Sequence, residues 1–338
     1  INGSTNTWRD LKYWNRHVYI GTEANDGIKV VSVDNPDNPV LVYTITDFGN
    51  SHNIHIDADG FLYVVGADDH DIWIYDLNVP ELPVLAGTWE GEYLHDIEVY
   101  NNKIYGAGIY TGHFYIIDVS DKTNPTVITI WPGISHAHSC WASEDGNTLF
   151  TGSETSGGHI MSWNVSDLSN VTYLDSWLPE DGENWSAHNV FVLGDRLYIS
   201  YYVYGLQVLD ISDPSNLELA AFYDTFDQET ESIYNGAWGT YPFFGSDNVI
   251  VSDRRTGLYV IDVINDNYTN SKMKRYILAH LNTEDYDKRI NIGSYYTFGF
   301  KNDTKITRLR LTMLKQLEFL GMLDRKFFLL YDPKIIFL

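Results

Sequence analysis

Apolar and polar residues alternate over short runs along most of this chain, and the runs come in pairs. One phrase recurs six times: aliphatic-Tyr-aliphatic, a short polar gap, Gly/Asp-aliphatic-x-aliphatic-x-Asp/Asn-aliphatic, then a polar turn. The copies are VYIGTEANDGIKVVSVDNPDNP (18–39), LYVVGADDHDIWIYDLNVPELP (62–83), IYGAGIYTGHFYIIDVSDKTNP (104–125), LFTGSETSGGHIMSWNVSDLSN (149–170), LYISYYVYGLQVLDISDPSN (197–216) and VIVSDRRTGLYVIDV (249–263). A period of two is that of a half-buried strand. Gly- and Asp-rich hairpin signals join the two runs of each copy. The turn that follows is rich in Asp, Asn and Pro, which fix a chain reversal. A third apolar stretch comes next, such as VLVYTI (40–45), VLAGTW (84–89) or LAAFY (219–223).

A second phrase lies between the copies: TWRDLK (7–12), SHNIHI (51–56), LHDIEV (94–99), AHSCWA (137–142), AHNVFV (187–192) and GAWGTY (236–241). Arg9 in the first of these aligns with the second residues of the others, His52, His95, His138, His188 and Ala237, at spacings of 43, 43, 43, 50 and 49. Each unit is therefore predicted to hold four strands, a to d, the arrangement of a propeller blade. Doubly wound sheets and α/β barrels need helices between their strands, and the pattern shows none before residue 265. The expectation is an all-β propeller of six recognisable four-stranded repeats over 1–265. The sixth unit lacks a d strand, and residues 1–7 are only just long enough to supply a closing strand from the N-terminus. An unpaired outer edge exposes backbone donors and acceptors.

Strand a of such a blade lines the central channel. Its start shares a face with the b–c tips, which carry Glu23, Asp26, Asp68, Asp69, His70, Glu154, Asp253 and Arg254.

These phrases resemble the LVIVD-repeat proteins, and within them the bacterial family called choice-of-anchor B. The resemblance is carried by YIIDVSD (115–121), VLDISDPSN (208–216) and GLYVIDV (257–263), with SHNIHID (51–57), LHDIEV (94–99), SAHNVFV (186–192) and GAWGTYPF (236–243). It covers residues 8–264. It implies an exported bacterial propeller, extracellular or at the cell surface, with a variable C-terminal anchoring module. The family usually carries a further repeat before the position of Trp8, so truncation at the N-terminus is an expectation. Residues 266–338 do not look like the family's anchors and contain no LPxTG-type signal.

Composition narrows the function. The formal net charge is −24, from 22 Lys+Arg against 46 Asp+Glu. Residues 1–265 carry −29 and residues 266–338 carry +5, and all ten Trp precede residue 239, so a boundary is expected near 265. A strongly acidic propeller region disfavours nucleic acid and anionic membrane surfaces as partners. No apolar run is long enough for a membrane helix. The single Cys140 excludes an internal disulfide framework and a cysteine-built zinc site. The tail is basic, without repeats, and ITRLRLTMLKQLEFLGML (306–323) has near-helical apolar spacing.

The aligned histidines His52, His95, His138 and His188, each followed by a hydrogen-bonding side chain (Asn53, Asp96, Ser139, Asn189), are the sharpest candidate site. With Trp238 they mark one channel end. A ring of neutral imidazoles suits a transition metal. A residue repeated once per blade also suits a structural staple between blades, and both readings stand. Trp73, Trp89, Trp131, Trp163 and Trp177 suit packing between blades or a glycan groove, with packing favoured. YYVY (201–204), with Glu183, Asn184 and Trp185, is expected to be exposed on the ligand face. No G-x-S-x-G and no phosphate-cradling glycine loop occurs. The expected function is a non-catalytic interaction or scaffold module, monomeric, binding a protein or glycan on the His-bearing face. The alternative is a metal-dependent propeller enzyme, hydrolase- or lactonase-like.

Overall fold

The computed structural model describes residues 1–6, 8–68, 70–133, 135–245 and 248–263. The basic segment 266–338, its proposed helix included, and Asp69 among the acidic tips lie outside the described residues.

Six antiparallel sheets follow one another along the chain, each a meander of neighbouring strands. The third is representative: Asp96–Tyr100, Lys103–Gly108, His113–Asp118 and Thr126–Pro132, hydrogen-bonded in sequence order. The a strands are Arg9–Trp14, Asn53–Ile56, Asp96–Tyr100, Ala137–Ala142, Val190–Leu193 and Ala237–Tyr241. Five sheets have four strands. The sixth has three among the described residues, as its sequence indicates. A single 3-10 turn, Gly182–Asn184, is the only helical element described. No helix among the described residues is long and apolar enough to cross a membrane.

The repeated Asp/Asn closing strand c has a local cause. Asp76, Asp118, Asn164 and Asp210 each accept a backbone N–H two residues on, at 2.7–3.0 Å. Such side-chain turns end the strand and swing the chain outward to d.

The core is a series of wedges between successive blades. Tyr63, Val65, Ile72 and Ile74 of blade 2 pack on Ile97, Val99, Ile104 and Tyr115 of blade 3. Similar clusters join blades 1 and 2, 3 and 4, 4 and 5, and 5 and 6. Trp73, Trp131 and Trp163 are buried in these wedges, so packing is their use.

The seam between blades 6 and 1 differs. Residues 1–6 form no strand. Ser4 instead donates to Asp26 on the b–c tip of blade 1, and Arg9 donates to the carbonyl of Ser4. The N-terminus therefore does not supply the missing d strand. It is tied to its own blade by charge-assisted bonds. Blades 6 and 1 meet at the His-bearing end through Trp8 and Trp238, whose rings are 5.5 Å apart. The Arg254 guanidinium lies over both rings.

Candidate functional site

Each a strand opens with two slots, a first at the channel end and a second whose side chain in blades 1, 2 and 4 reaches the next blade. The register defines the slots. Asp10 lies opposite Gly21, Asn53 opposite Val65, Asp96 opposite Ala107, Ser139 opposite Gly152 and Gly239 opposite Ser252. The first slot is therefore Arg9, His52, His95, His138, His188 and Trp238. Trp238, not Ala237, is the blade 6 member: Ala237–Trp238–Gly239 repeats Ala137–His138–Ser139 with the same strand irregularity, so the slot lies one residue later than the phrase alignment put it.

Five side chains of this slot, from His52 to Trp238, with Trp8 beyond them, pack in order around the axis. Ring centroids lie 3.7 Å apart for His52–His95, 4.2 Å for His95–His138, 4.5 Å for His138–His188 and 4.2 Å for His188–Trp238. Close approach of backbone makes this possible. Gly66 has φ 63°, and a Cβ there would fall 2.4 Å from that of His52.

Much of the stapling is done by the second slot. Asp10 Oδ2 accepts from Ile54 N–H at 3.1 Å and from Asn53 Nδ2 at 2.9 Å. Asn53 Oδ1 accepts from Ile97 N–H at 3.1 Å, and Ser139 Oγ donates to the carbonyl of His188 at 2.7 Å. Asn189 Nδ2 crosses the channel to Asp96 Oδ2 at 2.6 Å.

The four histidines have different surroundings. His188 Nδ1 donates to the carbonyl of Trp238 at 2.5 Å, an inter-blade staple. Burial pushes its pKa down to about 3. His52 Nδ1 meets Glu23 at 2.6 Å. Burial opposes charge there, but the Glu23 hydrogen bond and the Asp96 and Glu154 carboxylates outweigh it and raise the pKa. His95 Nδ1 donates to Asp96 Oδ1 at 3.0 Å. His138 is 1% exposed and neither ring nitrogen has a hydrogen-bond partner. Burial first, and then the neighbouring His95, push its pKa well below the usual range.

Two carboxylates, the buried Asp96 and the part-buried Glu154, complete the cluster. Asp96 would be raised by burial, yet His138, the bond from His95 and the neighbouring imidazoles hold it well below the usual range. Glu154, on the b–c tip of blade 4, has Oε2 3.5 Å from His138 Nε2 and Oε1 accepting from Tyr202 Oη at 2.5 Å. Its burial raises its pKa. His52, His95 and Asp96 form one compact group of potential metal ligands, and His95, His138 and Glu154 another. No compact group among the described residues contains three of the histidines.

Beside the cluster lies a cavity of about 380 Å³, lined among others by Trp8, Lys12, Asn53, Trp141, Asn189 and Trp238. It reaches the cluster through His52, Asp96 and His188. His55, three residues along strand a, also lines it. Burial and Lys12 push His55 down to about 3.

The candidate residues His52, His95, His138, His188, Asn53, Asp96, Asn189 and Trp238 thus lie at one channel end. Sequence reasoning placed Glu23 and Glu154 on the same face without assigning them to the cluster. It put YYVY on an exposed surface, but Tyr201 and Tyr202 are fully buried. The polar b–c gap is short there, and Tyr202, at φ 27°, turns inward to reach Glu154. Glu98, which receives the Ala142 N–H and is raised well above its usual range by burial, was also missed.

Comparison with known proteins supports this architecture. No curated protein matches the chain. Among solved structures, the periplasmic gluconolactonase of Pseudomonas aeruginosa is similar at 12% identity with a TM-score of 0.62, covering 76% of this chain and 82% of its own. A protein from Lactobacillus plantarum is 17% identical with a TM-score of 0.62, over 76% and 81% of the two chains. A putative 6-phosphogluconolactonase from Bacteroides uniformis is 14% identical with a TM-score of 0.61, over 85% and 84%. At these identities the likeness is one of fold. The LVIVD repeat model matches residues 93–131 and 186–225, all but the last residue of blade 3 and the whole of blade 5, so the chain is a β-propeller carrying LVIVD repeats.

Proposed function

We propose that the protein is a ligand-binding propeller whose recognition site is the His-bearing channel end and the cavity beside it. One observation carries this reading. A cavity of about 380 Å³ combines stacked aromatic walls with amide and carboxylate groups that converge from several blades. Sites for small ligands have this make-up: apolar walls for affinity, a few placed polar groups for orientation. Trp141 stacks on Phe243 at 5.5 Å and Trp238 flanks Trp8, surfaces suited to a sugar or aromatic face. Such a ligand could be a free glycan or a side chain presented by a protein partner. The choice-of-anchor B resemblance supports work outside the cell or at its surface.

The test is a glycan and peptide screen read by tryptophan fluorescence. A hit should be lost in Trp238→Ala while the melting temperature stays near that of the parent. Hits that survive Trp238→Ala and Asn189→Ala would place binding elsewhere.

A second reading, a metal-dependent hydrolase acting on lactones, is favoured by the pairing of buried imidazoles with Asp96 and Glu154 at the channel end. The gluconolactonase likeness in fold is consistent with it. Hydrolysis of glucono-lactone that is abolished by chelator and by Glu154→Gln would support it. An unchanged background rate would remove it.

A further inference from the structure

We propose that His95, His138 and Glu154 bind one divalent first-row transition ion, of the zinc class, with Asp96 as the residue that orients the imidazoles. The inference rests on the reading of this channel end as the functional one, not on which chemistry follows there.

The argument starts from His138. A neutral imidazole has one N–H donor and one bare nitrogen, and leaving both buried and unpartnered is costly. His138 is in that state, with its Nε2 3.5 Å from a Glu154 oxygen. An ion between the two takes up the Nε2 lone pair and neutralises the carboxylate, and leaves Nδ1–H facing Asp96 Oδ2 at 3.8 Å. Tetrahedral bonds of about 2.0–2.1 Å put neighbouring ligand atoms roughly 3.3–3.4 Å apart, close to the spacing seen. His95 supplies the third ligand. Its Nδ1 is taken by Asp96, which leaves Nε2 as the free lone pair. That is the carboxylate–histidine–metal arrangement, in which the outer carboxylate fixes tautomer and ring direction. Asp96 is itself held by Asn189. Tyr202 binds the other oxygen of Glu154, leaving Oε2 to face the imidazole.

The alternative group, His52 with His95 and Asp96, is weaker. Asp96 already accepts from His95 and Asn189, and His52 holds Glu23. Two imidazoles and a carboxylate suit zinc or iron(II) and leave a coordination position open. Calcium, which seeks six or more oxygens, does not fit the donor set.

The test uses the full chain, freed of metal by chelation. Zinc and cobalt(II) are titrated in, with stoichiometry read by competition against a chromophoric chelator. We expect one equivalent of either ion, visible cobalt bands of low-coordinate geometry, and a raised melting temperature. Calcium should do none of this. Asp96→Asn should weaken zinc by about 10–100-fold. Glu154→Gln and His138→Gln should weaken it further. Glu154 is at the solvent edge of the cluster, so its amide variant keeps the fold readable if His138→Gln does not fold. Zinc affinity unchanged in Glu154→Gln, or no stoichiometric binding by the parent, overturns the proposal. Trp fluorescence with the ligand hits on the chelated protein separates the two readings. Ligand binding without metal leaves the cavity standing, and metal without any organic ligand leaves the ion site standing.

Discussion

The wedge between blades 2 and 3 and the seam between blades 6 and 1 are built from the same register positions, yet one is filled and the other is open. Ile97 and Val99 of blade 3 are 5% and 6% exposed, because Tyr63, Val65, Ile72 and Ile74 cover them. The equivalent residues of blade 1, Leu11 and Tyr13, are 54% and 63% exposed. On the other side of the seam Leu258 and Val260, which match Ile72 and Ile74, are each 67% exposed. The second slot tells the same story. Asp10 and Asn53 reach across to the following blade, whereas blade 6 has Gly239 there, with no side chain to offer blade 1. A blade's sequence therefore does not fix its burial. The apolar face is written into every repeat, and its energy is realised only where a neighbour's b and c strands arrive.

The comparison breaks most directly by truncating matched residues. Ile74→Ala should destabilise by about 2–5 kcal/mol, the cost of a cavity in a filled wedge. Val260→Ala, the same position in blade 6, should change stability by less than about 0.5 kcal/mol, as an exposed site does. Denaturant unfolding of the two variants checks this. Equal losses would mean that the seam is covered in solution.

Much of this fold was legible because it repeats. Six copies of the first phrase gave the hairpins, and the His-bearing phrase gave the starts of strand a. Closing Asp residues such as Asp118 and Asp210 marked where strand c stops. The cluster was legible only as a list of slots. Which imidazole would be left unpartnered depends on Asp96, and Asp96 is joined to Asn189 across 93 residues of sequence. No local pattern encodes that contact. Tyr202 was misplaced because its tip is short and polar-looking, while its burial comes from Glu154 of the preceding blade and Trp238 of the following one. The blade 6 slot was given to Ala237 because GAWGTY was aligned from its first residue, whereas Ala237–Trp238 matches Ala137–His138 and Ala187–His188.

The second slot offers a milder test of the same contrast. Asn53→Ala removes the acceptor of Ile97 N–H and a donor to Asp10, both inside the ring. A loss of about 1–3 kcal/mol is expected, the cost of part-buried groups left unpaired. Gly239→Ala, where no such staple exists, should cost less than this. A neutral Asn53→Ala would show that apolar wedges alone set blade order.

The last effect is one of pH dependence, and it lies where strand a of the second blade neighbours that of the first. His55 faces the cavity, with Lys12 of blade 1 nearby. Burial first, and then the Lys12 charge, lower its pKa to about 3, while a hydrogen bond with the Val99 backbone works the other way. In the unfolded chain the same group titrates near about 6.5. Below that pH the unfolded chain takes up a proton that the folded one refuses, so this group's contribution to stability falls as pH falls, down to about 3. The slope is at most about 1.4 kcal/mol per pH unit. His55→Phe should therefore make stability less sensitive to acid between pH 6 and 4, roughly by that amount, as followed by urea unfolding at each pH. Lys12→Met should produce a fraction of the same change, because burial rather than charge is the larger cause. An acid slope untouched by either substitution would mean that His55 meets solvent through the seam, and that the channel is as open on its first-blade side as the outer faces of blades 6 and 1.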